Sequence, residues 1–184
     1  MGAASDVPAG GPTNVLPASR SSRVMLAVVR VTVALLWIEN TSWKRPPTFA
    51  HLSDPPSGLY LWTLNGVRHE VFAPWAWFVE NVVLPNFVLF GWLVLIVEAS
   101  LGAFLLVGLA TRFFALVGMV QTVAIMFSVL NAPHEWFWAY FLMFVAHLAL
   151  LATAAGRAYG VDAVLRPRWT QRSTAPSRLL LTVS

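Results

Sequence analysis

The chain has 184 residues, of which 58% are hydrophobic and 11% charged, with a formal net charge of +4. A soluble domain of this size carries about a quarter charged residues, so the composition excludes one and calls for an integral membrane protein. The positive charge does not mark nucleic-acid binding, because the arginines sit at the ends of apolar runs and no basic stripe with interleaved aromatics occurs elsewhere. With no cysteine, the polypeptide has no disulfide, thiolate or iron–sulfur chemistry of its own, and any such redox centre belongs to a partner.

Residues 1–22 are rich in Gly, Pro, Ala and Ser without periodic apolar spacing, which predicts a disordered cytoplasmic tail. The apolar run after Arg20 and Arg23 is too long for a signal peptide and turns aromatic at its far end, so it reads as a retained anchor. This first span, 24–43, holds two charges, Arg30 and Glu39. They lie on opposite helical faces and do not pair with each other. Residues 44–86 contain Pro46, Pro47, Pro55, Pro56, Pro74 and Pro85, a density that forbids one continuous helix. They are predicted to form a long outer loop carrying one short interfacial helix from Trp75 to Leu84, started by Pro74 and anchored by Trp75, Trp77 and Phe78.

The second span, 87–109, rises roughly 35 Å against a hydrocarbon core of ~30 Å, and Glu98 is its one charge. The third span, 113–130, follows the Thr111-Arg112 turn, and the fourth, 136–155, follows the break at Asn131-Ala132-Pro133-His134-Glu135. A basic amphipathic segment and a C-terminal tail, 171–184, come last. The predicted fold is all-α, a transmembrane four-helix bundle. Arg20, Arg23, Arg112, Arg157, Arg166, Arg168, Arg172 and Arg178 fall on one side of it, against Lys44, Arg45 and Arg68 on the other. Both termini are therefore expected in the cytoplasm, with Lys44 and Arg45 running against the trend.

Measured from the outer end of each span, Glu98 and His147 lie roughly 16 Å deep, Gln121 about 15 Å and Arg30 about 19 Å. Two readings follow. Arg30 and Glu98 form a structural ion pair, hydrogen-bonded by Gln121 and His147, that fixes helix register. Alternatively the layer lines a cavity in which Glu98, His147 and Arg30 handle protons or charge for a bound ligand. A second polar group, Glu39, Asn40, Asn131 and His134, lies near the outer surface with Trp43 and Trp136. It serves either as ordinary interfacial anchoring and capping or as a head-group site for a quinone or lipid, with a flat ring against Trp. One histidine lies within the spans, where a b-type haem needs two ligands in register, and the adjacent His134 and Glu135 suit no zinc site on one helical face.

Arg30 early in the first span, the Glu98-centred second span closing as VEASLGAFLLVGLATR, and the tail AAGRAYGVDAVL together resemble the DoxX-like family of small four-span membrane proteins. The matching positions are Glu98, Arg112, Gly156, Arg157 and Asp162, with Arg30. The resemblance implies a four-helix transmembrane bundle and an association with quinone-linked oxidoreductase systems, among them the small subunits of thiosulfate:quinone oxidoreductase. Glu39-Asn40 and the Trp-rich outer loop do not map onto that small-subunit pattern. Two functions stay open: a membrane subunit giving a partner oxidoreductase subunit access to the quinone pool, or a non-catalytic anchor, assembly or stress-response scaffold. Neither a covalently bound cofactor nor a metal is expected. Helix faces rich in Leu, Val and Phe suit lipid, another subunit or a second copy of the chain, and the expected location is a bacterial plasma membrane.

Overall fold

The computed structural model describes residues 19–171 and 174–184, and among these every regular element is helical. Of the predicted N-terminal tail, residues 1–18 lie outside the described residues; the remainder opens the first helix. Ser19 is the N-cap of α1 (Arg20–Thr41), its hydroxyl accepting the Ser22 N–H at 3.2 Å. α2 (Gly58–Arg68) and α3 (Ala73–Phe78) follow, then α4 (Phe87–Val107), α5 (Thr111–Val129), α6 (Phe137–Thr153), α7 (Val161–Thr170) and α8 (Ala175–Val183). Among the described residues three helical segments are long and apolar enough to cross a membrane, Arg20–Thr41, Ala73–Val107 and Thr111–Val129, and α6 is a shorter apolar helix of 17 residues. α1 packs chiefly on α4 and α5 on α6. Between the pairs lies a core of Val33, Ala34, Trp37, Leu101, Leu105, Ala115, Leu150 and Ala155.

The outer region differs from the predicted loop in two ways. It contains a second helix, α2, whose Gly66 lies against Ser128 of α5. The expected interfacial helix does not end before the second span either. α3 runs through a π turn, Val79–Val83, and a 3-10 turn, Leu84–Asn86, into α4, giving 35 continuous helical residues. Pro85 lacks an N–H, and the wider π turn ahead of it and the tighter turn around it absorb the missing hydrogen bond without breaking the axis. Phe87 is consequently not at a helix end. It is buried under the returning chain with Phe49 and Leu59, and the rings of His51 and Tyr60 stand against it.

The C-terminal segment is likewise no free tail. α8 folds back onto α7, and Arg166 donates to the carbonyls of Leu181 and Ser184 while Arg157 donates to Ser184. Burial lowers the pKa of Arg157, and the neighbouring Arg166 and Arg112 guanidiniums push it the same way against the attraction of Asp162.

A clasp at this arginine-rich end ties α1, α4, α5 and α7 together. Gly108 ends α4 at φ 71, a left-handed position where a β-carbon would also strike the Arg30 guanidinium and Gly160. Arg30 Nη1 donates to the carbonyls of Leu105 at 2.6 Å and Leu106 at 2.8 Å, satisfying the otherwise orphaned C-terminal end of α4. The buried Asp162 carboxylate accepts the N–H groups of Ala110 at 2.8 Å and Thr111 at 3.0 Å, capping the start of α5. Large side chains such as Leu36, Ile96, Val120 and Val145 remain more than half exposed around the bundle, as lipid contact requires.

Candidate functional site

A cavity of about 1170 Å³ lies between the two helix pairs and beneath the outer region. Its walls are mostly apolar, with Trp37, Trp43, Trp62 and Trp75 among them, and its polar groups are Asn40, Lys44, Glu98, Gln121, Glu135, Tyr140 and His147 together with the hydroxyls of Thr32, Thr63 and Ser128. This combination of an apolar enclosure with a few convergent polar groups is the usual form of a small-molecule site.

The strongest polar feature is an ion pair absent from the sequence-based expectations. Lys44 Nζ lies 2.6 Å from Glu98 Oε2, and both side chains are almost fully buried. Just beyond α1, the chain turns inward, so that Lys44 also donates to the Asn40 carbonyl at 2.7 Å and stands 4.2 Å from the Trp43 ring centroid. Gln121 Nε2 approaches the other Glu98 oxygen at 3.3 Å. The acid of the second span is therefore neutralised by a lysine assigned from the sequence to the outer loop.

Arg30 does not reach Glu98, which corrects the expected pairing. Its acceptors, Leu105 and Leu106, lie two turns further along α4, roughly 10 Å by helical rise. Equal distances from Trp43 and Phe87 are not equal depths, because these two residues are not helix ends at one level. α1 stops at Thr41, whereas α4 is prolonged outward by α3 and the turns after it. With Gly102 set against Ala34 and Ile38, Glu98 comes level with the outer end of α1.

His147 lines the same cavity but is engaged elsewhere. Its Nε2 accepts the Trp37 Nε1–H at 2.8 Å, which leaves Nδ1 to donate to the Met143 carbonyl at 2.7 Å. Among the described residues no hydrogen bond joins it to Glu98. Gly118 faces the imidazole so closely that a β-carbon there would collide with the ring, which explains glycine at this α5 position.

The outer polar group divides. Asn40 and Trp43 line the cavity, with Trp43 Nε1 donating to Asn40 Oδ1 at 3.3 Å. Glu39 is exposed and meets Ser42 Oγ at 3.4 Å. Asn131 donates to the Glu70 carbonyl, pinning the outer region to the α5–α6 turn. His134 is exposed in that turn at φ 67, and Trp136 is the exposed N-cap residue of α6. None of these last four lines the cavity. Sequence reasoning passed over Lys44, Trp37 and Tyr140; the Tyr140 hydroxyl donates to Glu135 at the cavity wall. One signal for Lys44 was available, a cation on the wrong side of the charge count.

A family model described as TQO small subunit DoxD matches residues 25–183. The match runs through the Trp-rich outer segment that the sequence reading left unmapped, and through both the Glu98 span and the clasp. No curated protein and no solved structure matches the chain. With nearly the whole length covered by one family model, and its helices apolar enough for a bilayer, this integral membrane protein belongs to the DoxD family.

Proposed function

We propose that this chain is the membrane subunit of a quinone-linked oxidoreductase and that its cavity receives the quinone ring beside Lys44 and Glu98. The observation that carries the reading is a buried ion pair lining a mostly apolar cavity edged with indole rings. A quinone is flat, apolar on both faces and carries carbonyl acceptors at its edge, so it requires aromatic walls and a few donors. Trp43, Trp62 and Trp75 supply the walls, and Lys44 and Gln121 the donors. Lys44 donates to the Asn40 carbonyl and its ammonium lies against Glu98 Oε2, so donor capacity remains for a ligand carbonyl. Glu98 holds that ammonium in place and is the acid–base group closest to it, while Asn40 fixes the Trp43 indole. When bound, the quinone supplies two-electron acceptor chemistry for electrons delivered by a partner oxidoreductase subunit.

In this reading α6 is the fourth crossing, the arginine-rich end faces the cytoplasm, and the membrane is a bacterial plasma membrane. Arg30 belongs to the clasp and has no part in charge handling. His147 shapes the cavity floor through its bond to Trp37. The test is lipid and cofactor extraction from the purified protein, with one quinone per chain expected. Glu98→Gln should lower quinone reduction in the assembled complex by about a hundredfold or more, as loss of a general acid–base group does, while the bundle still forms. Unchanged turnover together with no retained quinone removes the proposal.

The engagement of His147, Arg30, Arg157 and Arg166 with backbone or indole partners favours a second reading, a non-catalytic anchor or assembly scaffold. There Glu98→Gln lowers yield and thermal stability, and any lost activity follows the amount of protein.

A further inference from the structure

The cavity is larger than a ring alone requires. Small-molecule sites enclose roughly 300–1,000 Å³, and this one reaches about 1170 Å³. Its lining extends along α1 from Asn40 through Leu36 and Thr32 to Val28, roughly 18 Å of helix, and along α6 from Ala139 through Leu142 to Ala146. The residues follow one another at steps of three to four on each helix, so each set forms one continuous face. Leu36 and Leu142 line the cavity and are also 64% and 55% exposed, which marks the seam between α1 and α6 as the place where it opens. Lys44, Glu98 and Asn40 lie at the outer end of this seam; deeper in, the lining is apolar apart from Thr32 and from His147, whose two ring nitrogens are both engaged by Trp37 and Met143. That is the outline of an amphiphile with a compact polar head and a long hydrocarbon chain.

We propose that the ligand's hydrocarbon chain leaves the cavity sideways between α1 and α6, so that the quinone enters through this seam from within the bilayer. This rests on the quinone reading above and adds to it a direction of entry and a set of residues that select for the chain. Val29, Thr32 and Leu36 on α1 and Leu142 and Ala146 on α6 all line the cavity, and none of them belongs to the polar head site.

The test is quenching of indole fluorescence in nanodisc-embedded protein by two probes that share a ring, decylubiquinone and the same benzoquinone without its alkyl chain. Each probe is compared with itself across variants, which cancels its partitioning into the bilayer. Thr32→Phe combined with Ala146→Phe narrows the seam. It should weaken decylubiquinone binding about tenfold or more and leave the chainless ring within about twofold. Equal weakening of both probes, or of neither, overturns the seam as the chain's path. If the double variant does not fold, Leu36→Ala with Leu142→Ala removes chain contacts instead; a loss of about threefold confined to decylubiquinone is expected, and an equal effect on both probes again overturns the idea. Retention of one phospholipid per chain that decylubiquinone does not displace overturns it by giving the seam to lipid. Failure of the unaltered protein to bind either probe is a different result, which removes the quinone reading itself.

Discussion

Lys44, three residues beyond the end of α1, places its ammonium 2.6 Å from the Glu98 carboxylate in α4, with both side chains buried. The contact joins the outer segment to the bundle and puts the strongest charges of the cavity at its outer end. A pair in such a place costs desolvation that only its mutual attraction and further hydrogen bonds repay, and here Asn40 and Gln121 supply those bonds.

Removing one partner should therefore be worse than removing both. Lys44→Met leaves a buried carboxylate without its cation and is expected to destabilise by about 3–5 kcal/mol. Adding Glu98→Gln should recover a large part of that loss. Denaturant or thermal unfolding in detergent measures the cycle, and strictly additive single changes would show that the two groups do not interact.

At the cavity floor the relationship is between Trp37 and His147. Trp37→Phe strips the donor from His147 Nε2 and should cost about 1–3 kcal/mol, since the acceptor is buried. Gly118→Ala pushes a methyl group into the imidazole and should cost about 1–3 kcal/mol by overpacking. Its penalty should shrink in a His147→Ala background, and a penalty unchanged there would assign it to helix backbone effects alone.

The clasp is expected to matter for stability and not for the cavity. Asp162→Ala orphans the N–H groups of Ala110 and Thr111, and Arg30→Met orphans the carbonyls of Leu105 and Leu106. Each should lower stability by about 2 kcal/mol. Ligand retention per folded protein should stay unaltered. Selective loss of bound ligand in a fully folded Arg30→Met protein would return this arginine to the functional site.

Orientation is open to direct measurement because the chain contains no cysteine. Single cysteines at Ser21, in the first turn of α1, and at Ser53, between α1 and α2, report the two sides. Ser53→Cys should react with an impermeant maleimide on intact cells, and Ser21→Cys only after permeabilisation. The opposite labelling pattern reverses the topology.

Much of the architecture was legible from hydropathy and charge. Apolar runs of the right length announced the helices, Arg30, the second span and the AAGRAYGVDAVL segment together carried the family resemblance, and Glu98 stood out as a lone acid within an apolar run. Asn40, Trp43, Gln121 and His147 were also picked out, and the fold gathers all of them around one cavity with Glu98. The partners were misread. Arg30 and Glu98 looked level because each span was measured from an aromatic residue taken as its outer boundary. The short helix before Phe87 was expected, with Pro74 at its start, but its continuity with the second span was not, because Pro85 read as a break although it sits in a 3-10 turn that carries the axis onward.

Composition and periodicity alone determined that this chain lives in a bilayer as apolar helices and that a carboxylate inside it must find a counter-charge, because hydrocarbon imposes both conditions on any sequence. Which cation answers it was decided only in three dimensions. The choice depends on how far α1 slides against α4 and on a chain reversal after Thr41 that returns Lys44 to the interior, and such offsets between helices arise from side-chain packing across the whole bundle. The division of the polar residues between clasp and cavity follows from that same offset.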